Sequence, residues 1–97
     1  MFQMRLSPTD LRDKALLALD EAYAEAMKGP VPKSAALKLT LAMLANFTDD
    51  RDPFDQFWKE ATNIGISDLY AHQVGRRQSL TNAYRRIYVV LGVEVPG

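Results

Sequence analysis

The sequence predicts an all-α, single-domain protein, a bundle of four or five helices. Its 97 residues fit one domain, because chains usually divide into domains only well above this length. Hydrophobic residues make up 47% and charged residues 25% of the chain, which is the balance of an ordinary soluble globular protein. Apolar residues also recur at steps of three and four along the chain, and helix-capping residues and glycines bound these segments.

The first helix is predicted at about residues 8–28. Ser7 is a typical N-cap, and Pro8 fits the first helical position because its φ is already fixed near the helical value. Asp10 adds a negative charge where the helix dipole favours it. Gly29 is expected to end the helix in the left-handed conformation.

The second helix is predicted at about residues 34–48, with Ser34 as its cap. One side of this helix carries four apolar residues: Leu37, Leu41, Leu44 and Ala45. Adjacent faces carry three more: Leu39, Met43 and Phe47. A helix that is apolar nearly all round is usually surrounded by other elements, so we expect it at the centre of the bundle.

The third helix is predicted at about residues 53–64, with Asp52 as N-cap, Pro53 at the first position and Gly65 as terminator. A fourth helical region is expected at about residues 67–91, where Gly92 ends it.

The fourth region leaves two alternatives open. Its apolar stripe is interrupted by Gln73 and Arg77, which a continuous helix would place at a helix contact. The region is therefore either one long helix or two helices divided near residues 75–79. One long helix would spread the arginines over several sides, whereas a break would free a short helix that could enter a DNA groove.

The core is predicted to draw apolar side chains from every segment. The predicted core residues are Leu11, Ala15, Ala18, Leu19, Ala22, Leu37, Leu41, Leu44, Phe57, Trp58, Ile66, Leu69, Leu80, Tyr84, Ile87 and Leu91. Such a core would leave no deep pocket for chemistry.

No catalytic residue, cofactor or metal site is predicted. Cysteine is absent and His72 is the sole histidine, which excludes thiolate catalysis and a metal site built from several histidines of one chain. The carboxylates between Asp49 and Asp55 lack the glycine and the spacing of a calcium loop, and they are better explained as charges at a helix N-terminus. No phosphate-binding glycine motif or nucleophile elbow occurs, so we expect a non-enzymatic protein.

The chain is expected to be cytoplasmic and to make no membrane contact. Gln3 and Arg5 interrupt the apolar residues at the start, so no secretory signal is predicted. No stretch approaches the roughly 20 apolar residues that a membrane-spanning helix needs. Basic and acidic residues number 12 each, which gives no overall electrostatic preference for nucleic acid or anionic lipid.

Aromatic residues and arginines in the second half of the chain predict a protein-interaction surface. Trp, Tyr and Arg are the residues enriched at interface hot spots, and the candidates are Trp58, Tyr70, Tyr84, Arg85 and Tyr88. A small bundle leaves much of its surface unburied, so we expect a protein partner or a homodimer formed through the C-terminal region. The alternative is that these aromatics form the core of the bundle itself. We predict an interaction or scaffold module.

Residues 57–76 resemble the helix-turn-helix motif of bacterial repressors. Ala61 stands where that motif has a small residue at the helix crossing, and Gly65 stands in its turn. Three apolar residues occupy the flanking positions: Ile64, Ile66 and Val74. Glu60 departs from the motif, which has an apolar residue at that position.

This resemblance implies an alternative function, a DNA-binding regulator. In the motif, the second helix enters the major groove with its side chains toward the base edges. On that basis His72, Gln73 and Arg76 would contact bases, and Arg77 would contact a phosphate.

Overall fold

The structure is a computed structural model that describes residues 7–64 and 70–96, and for residues 70–73 it describes the backbone alone. The described residues form four α-helices and no strand, which confirms the all-α prediction. The helices are α1 (Pro8–Ala26), α2 (Ala35–Ala45), α3 (Asp52–Asn63) and α4 (Tyr70–Leu91). That the whole chain forms one domain stays a prediction.

The start of α1 is capped as the sequence predicts, but its end is stabilised differently. Ser7 Oγ accepts the Asp10 N–H at 3.1 Å, and the Asp10 carboxylate accepts the Ser7 N–H at 3.3 Å, which completes a capping box. The C-cap is Met27, and Gly29 does not adopt the left-handed conformation expected of it. Arg77 of α4 instead donates its Nε–H to the Met27 carbonyl oxygen at 3.2 Å. A side chain 50 residues away thus satisfies the end of α1.

The predicted cap and buried side of α2 are confirmed, but its predicted central position is wrong. Ser34 Oγ accepts the Leu37 N–H at 3.1 Å. The expected apolar side is buried: Leu37, Leu41, Leu44 and Ala45. The other three large apolar residues are exposed: Leu39, Met43 and Phe47. The physical reason is that α1 and α3 both pack against the same side of α2, so its opposite side faces solvent in the described part of the chain.

The predicted cap of α3 is also corrected. The helix begins at Asp52 itself, and the N-cap residue is Arg51, whose side chain makes no capping hydrogen bond. Asp50 takes over this role, because its Oδ1 accepts the Asp52 N–H at 3.1 Å. The helix ends at Asn63 with Ile64 as its C-cap, whereas the predicted terminator, Gly65, lies outside the described residues.

The α4 helix settles the two alternatives for the C-terminal region. It is continuous from Tyr70 to Leu91, so no break occurs at residues 75–79. Gly92 ends it at φ +70°, in the left-handed conformation that glycine adopts without steric cost. The predicted start near residue 67 lies outside the described residues.

The core combines side chains from all four helices. Nine predicted core residues are buried: Ala15, Leu19, Leu37, Leu41, Leu44, Phe57, Leu80, Tyr84 and Ile87. Leu11 and Ala18 are exposed because they lie at the margin of the apolar stripe of α1, and Ala18 lines an open groove beside α2. Ala22, Trp58 and Leu91 are only partly buried, and Ile66 and Leu69 lie outside the described residues.

None of the helices in the described segments combines the length and apolar character needed to cross a bilayer.

Candidate interaction surface

A cluster of aromatic and polar side chains joins α1 to α4, and we call Asp20, Tyr23, Thr81, Tyr84 and Tyr88 the tyrosine cluster. The hydroxyls of Tyr84 and Tyr88 both donate to Asp20 Oδ1, at 2.8 Å and 2.6 Å. The rings of Tyr23 and Tyr84 stack with centroids 4.0 Å apart, and Tyr88 meets Tyr84 edge-on at 5.2 Å. The Tyr23 and Thr81 hydroxyls lie 2.9 Å apart. Hydrogen bonds and ring packing therefore act together between these two helices.

The chemistry of the tyrosine cluster suits packing better than proton transfer. Burial raises the pKa of Tyr84 to about 12, and its hydrogen bond to Asp20 adds to that effect. Burial and the same carboxylate also raise the pKa of Tyr88. Both hydroxyls therefore stay protonated near neutral pH, whereas a general acid or base works best with a pKa near the working pH.

Burial assigns Tyr84 and Tyr88 to the core, which is the alternative that the sequence left open for the C-terminal aromatics. Among the other candidate interface residues, Arg85 is exposed. Trp58 is half-buried with Lys38 Nζ 6.0 Å above its ring, and the Tyr70 side chain lies outside the described residues. The candidate residues whose side chains are described therefore do not form one continuous exposed surface.

The arginines of α4 point to separate parts of the molecule. Arg76 Nη1 lies 3.7 Å from Glu60 Oε2 on α3, and Arg77 bonds to the end of α1. Arg86 Nη2 donates to Asp50 Oδ2 at 3.3 Å. The side chains of His72 and Gln73 lie outside the described residues, so these DNA contacts stay predictions.

Glu60, which departs from the helix-turn-helix pattern, is buried even though it is charged. Its Oε1 accepts from Gln56 Nε2 at 3.0 Å, while its Oε2 has no hydrogen-bond partner in the described segments. Arg76 supplies the opposite charge. A partly buried ion pair between α3 and α4 is thus a feature that the sequence did not predict.

The exposed side of α2 differs from these satisfied polar sites because it is apolar. Seven exposed residues form what we call the α2 face: Ala35, Ala36, Leu39, Ala42, Met43, Asn46 and Phe47. Leu39 and Met43 follow one another at a step of four on α2, and Phe47 continues their row in the turn that follows the end of the helix at Ala45. They are 64%, 37% and 39% exposed. These seven residues carry no charge, and Lys38, which is also exposed on α2, borders them with its Nζ 6.0 Å from the centre of the Trp58 ring.

Two other strongly exposed apolar side chains of the described residues stand alone. Leu17 of α1 is 65% exposed, as is Val89 of α4, yet neither belongs to a row of large apolar residues. Isolated exposed apolar residues are normal on protein surfaces, whereas contiguous groups mark interaction sites. The α2 face is therefore the candidate interaction surface.

The described surface also contains a groove between α1 and α2, of about 350 Å³. Small and apolar residues line most of it, together with Glu21, Glu25 and Ser34, and Ser34 is already engaged in capping α2. In the segments that the structure describes, no three acidic or histidine side chains come close enough to hold a metal ion.

Comparisons with known proteins found no match for this chain. No protein-family model, no curated protein and no solved structure matches it. The helix-turn-helix resemblance therefore has neither support nor contradiction from a relative.

Proposed function

We propose that this protein is a small, non-enzymatic interaction module of the cytoplasm and that the α2 face binds its protein partner. The observation that carries the proposal is the row of Leu39, Met43 and Phe47, exposed on a side of α2 whose one charged neighbour among the described helix residues is Lys38 at its edge. Removing apolar surface from water is the main favourable contribution to most protein association. A partner that covers this row would gain that contribution without desolvating a charged group of the α2 face.

The residue types of the α2 face also suit helix packing. Met and Phe are enriched at protein interfaces, where flexible Met side chains adapt to the partner. Ala35, Ala36 and Ala42 flank the large residues, and small residues allow a second helix to approach closely. A helix laid along α2 is therefore the partner geometry that this surface favours.

The experiment compares three forms of the full chain as bait: wild type, Leu39→Glu and Leu17→Glu. Leu17 is the matched control because it is as exposed as Leu39 but lies on α1. We expect wild type and Leu17→Glu to retain a partner protein that Leu39→Glu does not retain. Mass spectrometry identifies this partner, and binding is then repeated with the purified partner. The proposal is wrong if no protein, including a second copy of this chain, binds Leu17→Glu more tightly than Leu39→Glu.

DNA binding is the second candidate function, favoured by one observation. Helix α3 ends at Asn63 and α4 is present from Tyr70, which is the helix order of the resembled motif. Against it, Arg76 and Arg77 contact the protein itself. Fluorescence anisotropy with a labelled duplex tests it, because each phosphate contact should lower log K by about 0.9 per log unit of salt. Absence of binding at low salt would exclude this function.

A further inference from the structure

We infer that the occupant of the α2 face is a second copy of this chain, with the two α2 helices packed antiparallel about a two-fold axis near Met43. This inference rests on the proposed function, since it names the partner of the same surface. It differs from the homodimer that the sequence predicts, which would form through the C-terminal region.

The order of side chains along α2 is self-complementary. A two-fold interface places residue i opposite residue j and j opposite i. With the axis at Met43, Leu39 faces Phe47 of the second copy and Phe47 faces its Leu39, because both lie four residues from Met43. Met43 then meets its own equivalent, and an unbranched Met side chain adapts well to such a contact.

The charges at the two ends of α2 favour this antiparallel arrangement. Lys33 and Lys38 lie at the N-terminal end and Asp49 lies beyond the C-terminal end, the reverse of what the helix dipole favours. The first turn contains no acidic residue and the last turn no basic one. Antiparallel packing brings the lysines of each copy toward Asp49 of the other, so each helix supplies the charges that the other lacks.

Other charged groups nearby leave this complementarity in place. Asp50 is already bonded to Arg86 at 3.3 Å, whereas Asp49 beside it is exposed just beyond the end of α2, and Asp52 and Asp55 are exposed in the first turn of α3. Arg51 is exposed beside Asp52, and Glu21 and Glu25 line the groove on the α1 side of α2. None of these residues belongs to the α2 face, so none is buried when the two faces meet.

The size of the α2 face predicts a weak dimer. With 11 residues, α2 is only about 16 Å long. A standard stable interface buries about 800 Å² on each partner, which is more than one short helix face offers. We therefore expect a reversible dimer with a dissociation constant of about 1 to 100 µM.

Sedimentation velocity of the full chain tests the inference at concentrations from about 1 µM to 1 mM, which span that range. Wild type should pass from monomer to dimer. Leu39→Glu should raise the dissociation constant by about 30-fold or more, because it places a charge in the apolar centre of the interface. The matched control, Leu17→Glu, adds the same charge at an equally exposed leucine and should dimerise like wild type.

A charge exchange tests the antiparallel orientation. Lys38→Glu and Asp49→Lys should each raise the dissociation constant of the dimer by about threefold to tenfold. This range follows because an exposed ion pair contributes little and the two-fold axis generates two copies of each pair. The double variant restores opposite charges across the axis and should return the dissociation constant to within about twofold of wild type. A double variant weaker than both single variants would overturn the antiparallel arrangement.

The remaining outcomes separate this inference from the proposed function. A monomeric wild type, together with another protein that Leu39→Glu fails to bind, overturns the second copy as partner and leaves the proposed function standing. A dimer that Leu39→Glu does not weaken overturns the inference. If the full chain stays monomeric and a variant lacking residues 2–6 dimerises, the chain's own N-terminal segment is the occupant of the α2 face. That outcome also overturns the inference.

Discussion

Helices α2 and α4 distribute their side chains in opposite ways. One side of α2 exposes Leu39, Met43 and Phe47, although these are among its most apolar residues. Helix α4 instead directs the hydroxyl-bearing side chains of Tyr84 and Tyr88 into the protein. In these two helices, burial therefore depends on whether each side chain has a partner as well as on its hydrophobicity.

The partner groups explain the difference. The buried hydroxyls of α4 have a carboxylate acceptor in Asp20, so their hydrogen bonds offset the cost of losing water. No described element packs against the exposed side of α2. Variants of the buried polar groups and of the α2 face test this comparison.

The largest effect is expected from Asp20→Ala. This variant removes the acceptor of both Tyr84 and Tyr88, and each buried hydroxyl left without a partner costs about 1 to 3 kcal/mol. The free energy of unfolding, measured in urea, should fall by about 3 kcal/mol. Asp13→Ala is the control, because within the described residues that exposed carboxylate on α1 pairs with its neighbour Arg12 alone, and the change should alter stability by less than about 0.5 kcal/mol. Equal effects would mean that Asp20 does not hold α1 to α4.

A smaller loss is expected from Arg76→Ala. Glu60 would remain buried without its opposite charge, and the Arg76 side chain is one third exposed, so we expect a loss of about 2 kcal/mol. Arg85→Ala, which removes an exposed arginine of the same helix, should cost less than about 0.5 kcal/mol. Replacing both Glu60 and Arg76 with Gln and Met should recover much of the loss, because no buried charge then remains. If Arg76→Ala is as stable as wild type, the ion pair with Glu60 does not hold Arg76 in place, and Arg76 of the wild-type protein is available to contact DNA.

The tyrosine cluster also predicts a loss of stability at alkaline pH. The folded protein holds the proton of Tyr84 up to a pKa of about 12, whereas the unfolded chain releases it near 10.0. Between these values the unfolded state binds fewer protons, so the free energy of unfolding falls as the pH rises, whereas Tyr84 contributes no pH dependence well below pH 10. Urea unfolding at several pH values would measure this. The variant with Phe at both Tyr84 and Tyr88 should show a flatter dependence, and an unchanged slope would contradict the assignment.

Local features of the fold could be predicted from the sequence. Ser7 and Ser34 cap α1 and α2, and Gly92 ends α4, because each of these effects depends only on residues within one turn. The contacts of Asp20 and Arg77 could not be predicted, since their partners lie at least 50 residues away in the chain. One indication for Asp20 was present, because Leu16 and Tyr23 place it beside the apolar stripe of α1.

The candidate surface was only half predictable. The sequence identifies Leu39, Met43 and Phe47 as a second apolar side of α2, but periodicity does not tell which side of such a helix lacks a neighbour. That depends on where α1 and α3 pack, which is a tertiary property. The charges at Lys38 and Asp49, which are the reverse of what the dipole of α2 favours, were the local indication that agrees with the proposed partner.

The smallest effect on stability is expected at the α2 face itself. Leu39→Glu should change the free energy of unfolding of the monomer, measured below the dimerisation range, by less than about 0.5 kcal/mol, because Leu39 is exposed and Glu is also a good helix former. Leu44→Ala on the same helix is fully buried and should cost about 2 to 5 kcal/mol. A comparable loss in Leu39→Glu would place Leu39 in the core. An unchanged value means that any loss of binding by this variant reports on the surface and not on the fold.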